Sequence, residues 1–184
     1  MVKSFSAPLN ITAIPLAGQA VIGVAECPGR ILTDKDNCYR QRNLVADLDA
    51  VKAWGAEILI SLIEAHEFSF PGIAGFEVLV ISRNLRWYHL PIADMGVPGK
   101  AFFNSWHAHG PDILRTIEQG GRIVVHCAGG LGRSGMIAAK LMTAFDVPPG
   151  EAIARVRKLR SGAIETTEQE QYILNGPDLM QSPL

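Results

Sequence analysis

Arg122-Ile123-Val124-Val125-His126 is a β-branched run entered through Gly120-Gly121 and left through Cys127-Ala128-Gly129-Gly130-Leu131-Gly132. A short apolar run bounded by glycines has the pattern of a buried strand rather than a long helix. Beyond it, Met136-Ile137-Ala138-Ala139-Lys140-Leu141-Met142 is rich in helix formers and predicts a helix starting near Arg133 or Ser134. The chain therefore passes from a strand, through a glycine-rich turn, into a helix N-terminus. There the backbone N–H groups of Ala128 to Arg133 can turn inward together, and the unpaired amides of the first helical turn add positive potential. The turn predicts an anion cradle formed by Ala128, Gly129, Gly130, Leu131, Gly132 and Arg133.

The side chains around this cradle suit a reaction. Cys127 and Arg133 stand six positions apart across the turn. A helix N-terminus with positive charge nearby favours the thiolate, the nucleophilic form of cysteine, so Cys127 is expected to attack the bound anion. Arg133 offers a planar fork of donors that matches two oxygens of a phosphoryl group. The Ser134 hydroxyl is near enough in sequence to donate to the Cys127 sulfur and help it leave. His126 is expected to fix the loop from the strand side rather than to act as a base. An inert core cysteine before a flexible turn is the bland alternative. It leaves the register of glycines, arginine and serine unexplained.

The run His-Cys-x-x-Gly-x-Gly-Arg-Ser-Gly resembles the active-site signature of the cysteine-dependent dual-specificity and tyrosine protein phosphatases, complete at every fixed position. Such chemistry needs a carboxylic acid on a second loop to protonate the leaving oxygen. Asp94, 33 residues before Cys127 in Pro91-Ile92-Ala93-Asp94-Met95-Gly96-Val97-Pro98, is the candidate. A turn aspartate is its plainer reading; the resemblance favours the general acid, since these enzymes carry it on a loop after such a strand. Gly162-Ala163-Ile164-Glu165-Thr166-Thr167 precedes another helix, with Thr166 or Thr167 as its N-cap. That segment also resembles one that packs beside the cradle in small dual-specificity phosphatases. The resemblance gives Glu165, Thr166 and Gln169 a supporting role, steadying the loop or orienting the hydrolytic water.

The chain also resembles the kinase-associated group that acts on cyclin-dependent kinases, through Gly23-Val24-Ala25-Glu26-Cys27-Pro28-Gly29, Pro91 to Asp94, Cys127 to Ser134 and Gly162 to Ile164. The resemblance implies hydrolysis of phosphotyrosine, phosphoserine or phosphothreonine through a phosphocysteine, without a cofactor. It also implies a phosphoprotein substrate, with the phosphothreonine of a protein kinase among the targets. Relatives that act on phosphoinositides commonly carry lysines inside the loop. Here Ala128, Gly129, Gly130 and Leu131 are neutral, which favours a singly phosphorylated side chain. A phospho-binding module with weak catalysis, or a phosphatase for a non-protein phosphomonoester, remains the alternative.

The rest of the chain fits an enzyme domain. Its 184 residues, 48% hydrophobic, can bury a substantial core and predict one catalytic domain over 1–184, with a core at about 18–176. A net charge of -1 without a basic run argues against nucleic acid or anionic membrane as partner. No stretch reaches the roughly 20 apolar residues of a membrane span, and the N-terminus does not read as a signal peptide. Three cysteines, Cys27, Cys38 and Cys127, form no disulfide framework and suit a reducing cytoplasm. His107 and His109 have no accompanying ligand set, so no metal is expected. Arg155, Arg157, Lys158 and Arg160 read as a solvated helix face, with binding of an acidic or second phosphorylated site as the alternative.

Strands are expected at 11–16, 21–26, 57–63, 86–92 and 122–127. Helices are expected at 44–54, 100–118, 133–145, 149–160 and 167–175. The alternation predicts an α/β fold, a central mostly parallel sheet of four or five strands flanked by helices, resembling the tyrosine phosphatases. Phe76-Glu77-Val78-Leu79-Val80-Ile81-Ser82 suits either a strand or a helix.

Overall fold

The computed structural model describes residues 3–4, 8–16, 18–33, 39–70 and 72–180, and Cys38 lies outside them. The first elements are strands β1 (Lys3–Ser4), β2 (Thr12–Pro15), β3 (Val21–Ala25), β4 (Ile31–Thr33) and β5 (Tyr39–Gln41), then helix α1 (Leu44–Ala53). Strand β6 (Ile58–Ser61) leads through a 3-10 helix (Ala65–Ser69) to α2 (Phe76–Ile81) and β7 (Arg86–His89). After these come α3 (Lys100–Glu118), β8 (Arg122–His126), α4 (Gly132–Thr143), α5 (Pro149–Leu159) and α6 (Thr167–Asn175).

A five-stranded sheet in the order β2-β3-β8-β6-β7 puts β8 at the centre. Strands β3, β8, β6 and β7 run parallel, with Val124 of β8 opposite Gly23 on one side and Leu59 on the other. Only β2 is antiparallel, and it closes at Pro15 on the edge, where a missing N–H costs no ladder bond. Strands β3, β6 and β8 are apolar on consecutive positions because helices cover both faces. Val124 points into a cluster with Leu48 and Val51 of α1 and Phe76 and Val80 of α2. Ile123 and Val125 point the other way, among Phe102, Trp106 and Ile113 of α3 and the residues of α4. The sheet expected from the sequence is thus present. A second, three-stranded sheet, β1-β5-β4, was not foreseen, because runs of two or three residues carry no readable period.

Phe76 to Ile81 resolves as helix. Phe76 and Val80, four apart, are buried together, while Val78 is 72% exposed. A strand in this place would have turned all three to the same face.

The loop after β3 is fixed by one buried carboxylate. Asp47 in α1 accepts from Arg42 Nε at 2.8 Å and Nη2 at 2.7 Å, and from the Gly29 amide at 2.9 Å. Asp47→Ala removes the anion from a buried arginine and is expected to cost about 3 kcal/mol of unfolding free energy in urea titration. A loss below about 1 kcal/mol would reduce it to the standing of a surface ion pair.

Candidate active site

Cys127 leaves the carboxyl end of the central strand, where ligands of open parallel sheets bind. Its sulfur is buried and accepts a hydrogen bond from the Gly130 amide at 3.2 Å, with Ser134 Oγ at 3.4 Å. Helix α4 begins at Gly132 without a side-chain cap, so its first-turn amides stay free for a ligand. Gly130 takes φ of +70°, and a Cβ there would stand 2.5 Å from backbone atoms of Ala25 and Glu26. At Gly132 a Cβ would stand 2.5 Å from Glu165 Oε2 and 3.0 Å from the Gln169 amide. The loop therefore lies against β3 on one side and the 165–169 segment on the other.

Arg133 is the most constrained side chain of the site, at 2% exposure. Its Nη1 donates to Glu67 Oε2 at 2.7 Å and to the Ile92 carbonyl at 3.1 Å, and its Nη2 donates to Glu67 Oε1 at 3.1 Å. Asp94 Oδ1 also reaches Nη2, at 2.9 Å, from a side chain 70% exposed. Arg133 Nε is buried with no partner among the described residues. A buried donor left without a partner among the described residues, beside the Cys127 sulfur, suits an anion. Burial alone would push Glu67 toward its neutral acid. Hydrogen bonds from Arg133 and from the Glu64 amide outweigh that and hold it below the usual carboxylate range.

His126 is fully buried, and burial pushes it down to about 4. Trp87 Nε1 donates to Ser61 Oγ at 2.9 Å, which leaves the Ser61 hydroxyl to donate to His126 Nε2 at 2.6 Å. The Nδ1–H then faces the Cys127 carbonyl at 3.3 Å. His126 thus touches the loop from the strand side. Thr166 caps α6 by accepting from the Gln169 amide at 3.1 Å. Gln169 Oε1 accepts from Glu165 N at 3.0 Å and its Nε2 donates to the Gly96 carbonyl at 3.3 Å, linking the Asp94 loop to the cradle. Met95 and Ile164, next to Asp94 and Glu165, both hold positive φ, +58° and +61°. A β-branched residue in that region is strained, and such strain persists where the surroundings fix it.

The sequence thus brought Cys127, Arg133, Ser134, Asp94, Glu165 and Gln169 to one place, with Thr166 touching the cradle through Gln169. Glu67, Ser61 and Trp87 were missed, since each is joined to its partner only through the sheet. Arg160 was misplaced. It is not part of a solvated face: it donates to the Gly130 carbonyl through Nε and to Thr12 Oγ1 at 2.9 Å. Helix α5 ends at Leu159, and the extended backbone of Arg160 carries its side chain to the cradle. Arg157 binds the Ala163 and Ile164 carbonyls and Glu170.

The state of His126 fixes a pH dependence. From pH 6.5 down to about 4 the unfolded chain takes up a proton at this histidine that the folded chain refuses, so stability falls as the pH falls through that window. Urea unfolding across it should show a shallower decline in His126→Asn than in the wild type. Equal slopes would mean that His126 is not held neutral.

Comparison with known proteins gives the family. Mouse cyclin-dependent kinase inhibitor 3 is 27% identical over 171 residues, 90% of this chain and 77% of that protein. A crystal structure of kinase associated phosphatase with its catalytic-site cysteine replaced by serine matches with a TM-score of 0.75 and 26% identity, over 92% of this chain and 94% of that one. A putative protein tyrosine phosphatase from Leishmania major shares the fold at a TM-score of 0.64 and 24% identity, over 90% and 98% of the two chains. Residues 37–173 match the family described as PTP-SAK, Swiss Army Knife protein, DSP-PTPase phosphatase domain. With that match over most of its length, the chain belongs to the DSP-PTPase phosphatase family, the cysteine-based tyrosine and dual-specificity phosphatases.

Proposed function

We propose that this chain is a protein phosphatase, a single catalytic domain with its core at about 18–176, that works through a phosphocysteine on Cys127. The observation that carries the reading is Arg133, buried against Glu67, with no partner for Nε among the described residues and with exposed Asp94 standing at Nη2. Two oxygens of a phosphoryl group take Nε and Nη2, and Asp94 moves off to the leaving oxygen. The amides of Ala128 to Arg133 take up the remaining charge.

In the first step the Cys127 sulfur attacks phosphorus. The S–P bond forms, the P–O bond to the substrate side chain breaks, and Asp94 gives its proton to the departing oxygen. In the second, Asp94 accepts a proton from a water that attacks the phosphocysteine. The S–P bond breaks, inorganic phosphate leaves, and Ser134 donates a hydrogen bond to the departing sulfur. Glu165 and Gln169, beside Gly132, support the cradle and the attacking water, and Thr166 holds Gln169 in place. His126 fixes the Cys127 peptide. No step calls for a metal or cofactor.

Phosphotyrosine, phosphoserine or phosphothreonine of a protein is the substrate class, in keeping with the neutral loop from Ala128 to Leu131. The name of one relative ties it to a cyclin-dependent kinase and that of another to a kinase, and a phosphorylated kinase is accordingly proposed as one target. Among the described residues no helix is long and apolar enough to cross a membrane; the proposed site of action is the cytoplasm.

Aryl phosphates test the reading. Wild type should turn over p-nitrophenyl phosphate and Cys127→Ser should not; phosphopeptide binding without turnover by the wild type would leave only a binding module. General acid catalysis is worth about 10²–10⁴ in rate. Asp94→Ala should therefore lose on the order of 10²-fold or more on phenyl phosphate, and much less on phenols acidic enough to leave unprotonated. Equal losses across leaving groups would remove Asp94 as the proton donor.

A further inference from the structure

Strands β3 and β6 flank β8, so the loops that follow them rise beside the cradle. Between those loops lies a cleft of about 330 Å³ whose walls are Ile31, Ile63, Phe70 and Ile73. It shares Ala128 with the cradle and Glu67 with the Arg133 ion pair. Cys27 also faces it; burial pushes that thiol up to about 12, so it adds no charge. A mostly apolar recess with a few placed polar groups is the usual form of a ligand subsite.

Arg30 sits where the cleft meets the cradle. A Cβ on Gly129 would stand 3.5 Å from its Nη1. Its backbone is held on both sides, N–H to the Cys27 carbonyl at 3.2 Å and carbonyl to the Arg42 amide at 3.1 Å. The neighbouring Gly29 amide is tied to Asp47. The Arg30 guanidinium has no hydrogen bond or ion pair among the described residues. A fixed backbone thus presents, at the rim of the cradle, a guanidinium that has no partner among the described residues.

We propose that this cleft receives an apolar side chain next to the phosphorylated residue of a polypeptide, and that Arg30 holds a neighbouring carboxylate of the same peptide. The inference rests on the phosphatase reading of the cradle. Continuity through Ala128 places the cleft within reach of a residue adjoining the phosphoresidue. Its volume suits one large side chain and is small for the paired acyl chains of a lipid. Arg30 is then a specificity residue, separate from Arg133, which serves the reacting phosphate.

The test compares phosphopeptides carrying Leu and Asp, Leu and Asn, or Gly and Asn beside the phosphoresidue, in both chain directions. Each kcat/KM is taken as a ratio to that of p-nitrophenyl phosphate in the same preparation. Wild type should favour the Leu and Asp peptide over the Gly and Asn peptide by about tenfold or more, mainly in KM, the scale of one hydrogen bond between charged groups plus a buried side chain. Arg30→Gln should erase the preference for Asp over Asn. Phe70→Ser, at a position more than half exposed and so safe for folding, should weaken the preference for Leu. The inference is overturned if the wild type shows no preference or if both variants keep it. A parallel loss on every substrate in Arg30→Gln would assign Arg30 to the reacting phosphate instead. Faster, Arg30-dependent hydrolysis of phosphoinositide micelles would replace the peptide by a lipid. If wild type fails to turn over the aryl phosphate, the phosphatase reading fails by itself. Calorimetric binding of the same peptides to Cys127→Ser, with and without Arg30→Gln, then decides the subsite separately.

Discussion

The buried ion pair between Arg133 and Glu67 is the constraint on which the rest of the site depends. A guanidinium at 2% exposure is tolerable only if anions and carbonyls meet its donors. Glu67 and the Ile92 carbonyl meet Nη1, and Glu67 meets Nη2 as well. That pairing does more than neutralise charge. It uses the inner edge of the fork and leaves Nε to whatever enters the cradle. Because Glu67 follows β6 and Ile92 follows β7, the pair also ties two loops to the start of α4. The loop that carries Asp94 and the proposed phosphate site are thus held by a single side chain.

Around that pair, the cradle is braced by groups that do not touch the phosphoryl group in the proposed mechanism. The Trp87, Ser61 and His126 relay runs beneath the Cys127 carbonyl. Arg160 grips the Gly130 carbonyl from the far end of α5. Gln169 spans from Glu165 to Gly96 and so couples the support segment to the loop that carries Asp94. A turn of small residues has little rigidity of its own, and these braces supply it. Preorganised donors are effective because they need not reorient as charge develops.

What the sequence revealed, and what it did not, follows the range of the interactions. Cys127, Arg133 and Ser134 were legible because one strand, one turn and one helix start hold them within a few residues. Asp94 was legible only because the proposed chemistry demands an acid and the resemblance says where to look. Glu67 lies 66 residues from Arg133, on a short 3-10 turn with no pattern of its own, and only the sheet brings the two together. Arg160 looked like its solvated neighbours until the helix ended one residue before it. Phe76 to Ile81 shows the limit of propensity: its β-branched side chains suit a strand, but the burial of Phe76 with Val80 against α1 and β7 selects a helix.

Cys127 as the covalent centre is the claim from which the rest follows. The direct measurement is acid quenching of the enzyme during turnover of a phosphopeptide, followed by proteolysis and mass analysis of the peptide spanning 122–133. The account predicts the mass of one phosphoryl group on Cys127, with more of it in Asp94→Ala on an activated aryl phosphate, where departure of the product outpaces hydrolysis of the intermediate. Turnover in which no phosphate is found on Cys127, or in which it is found on another residue, would contradict it.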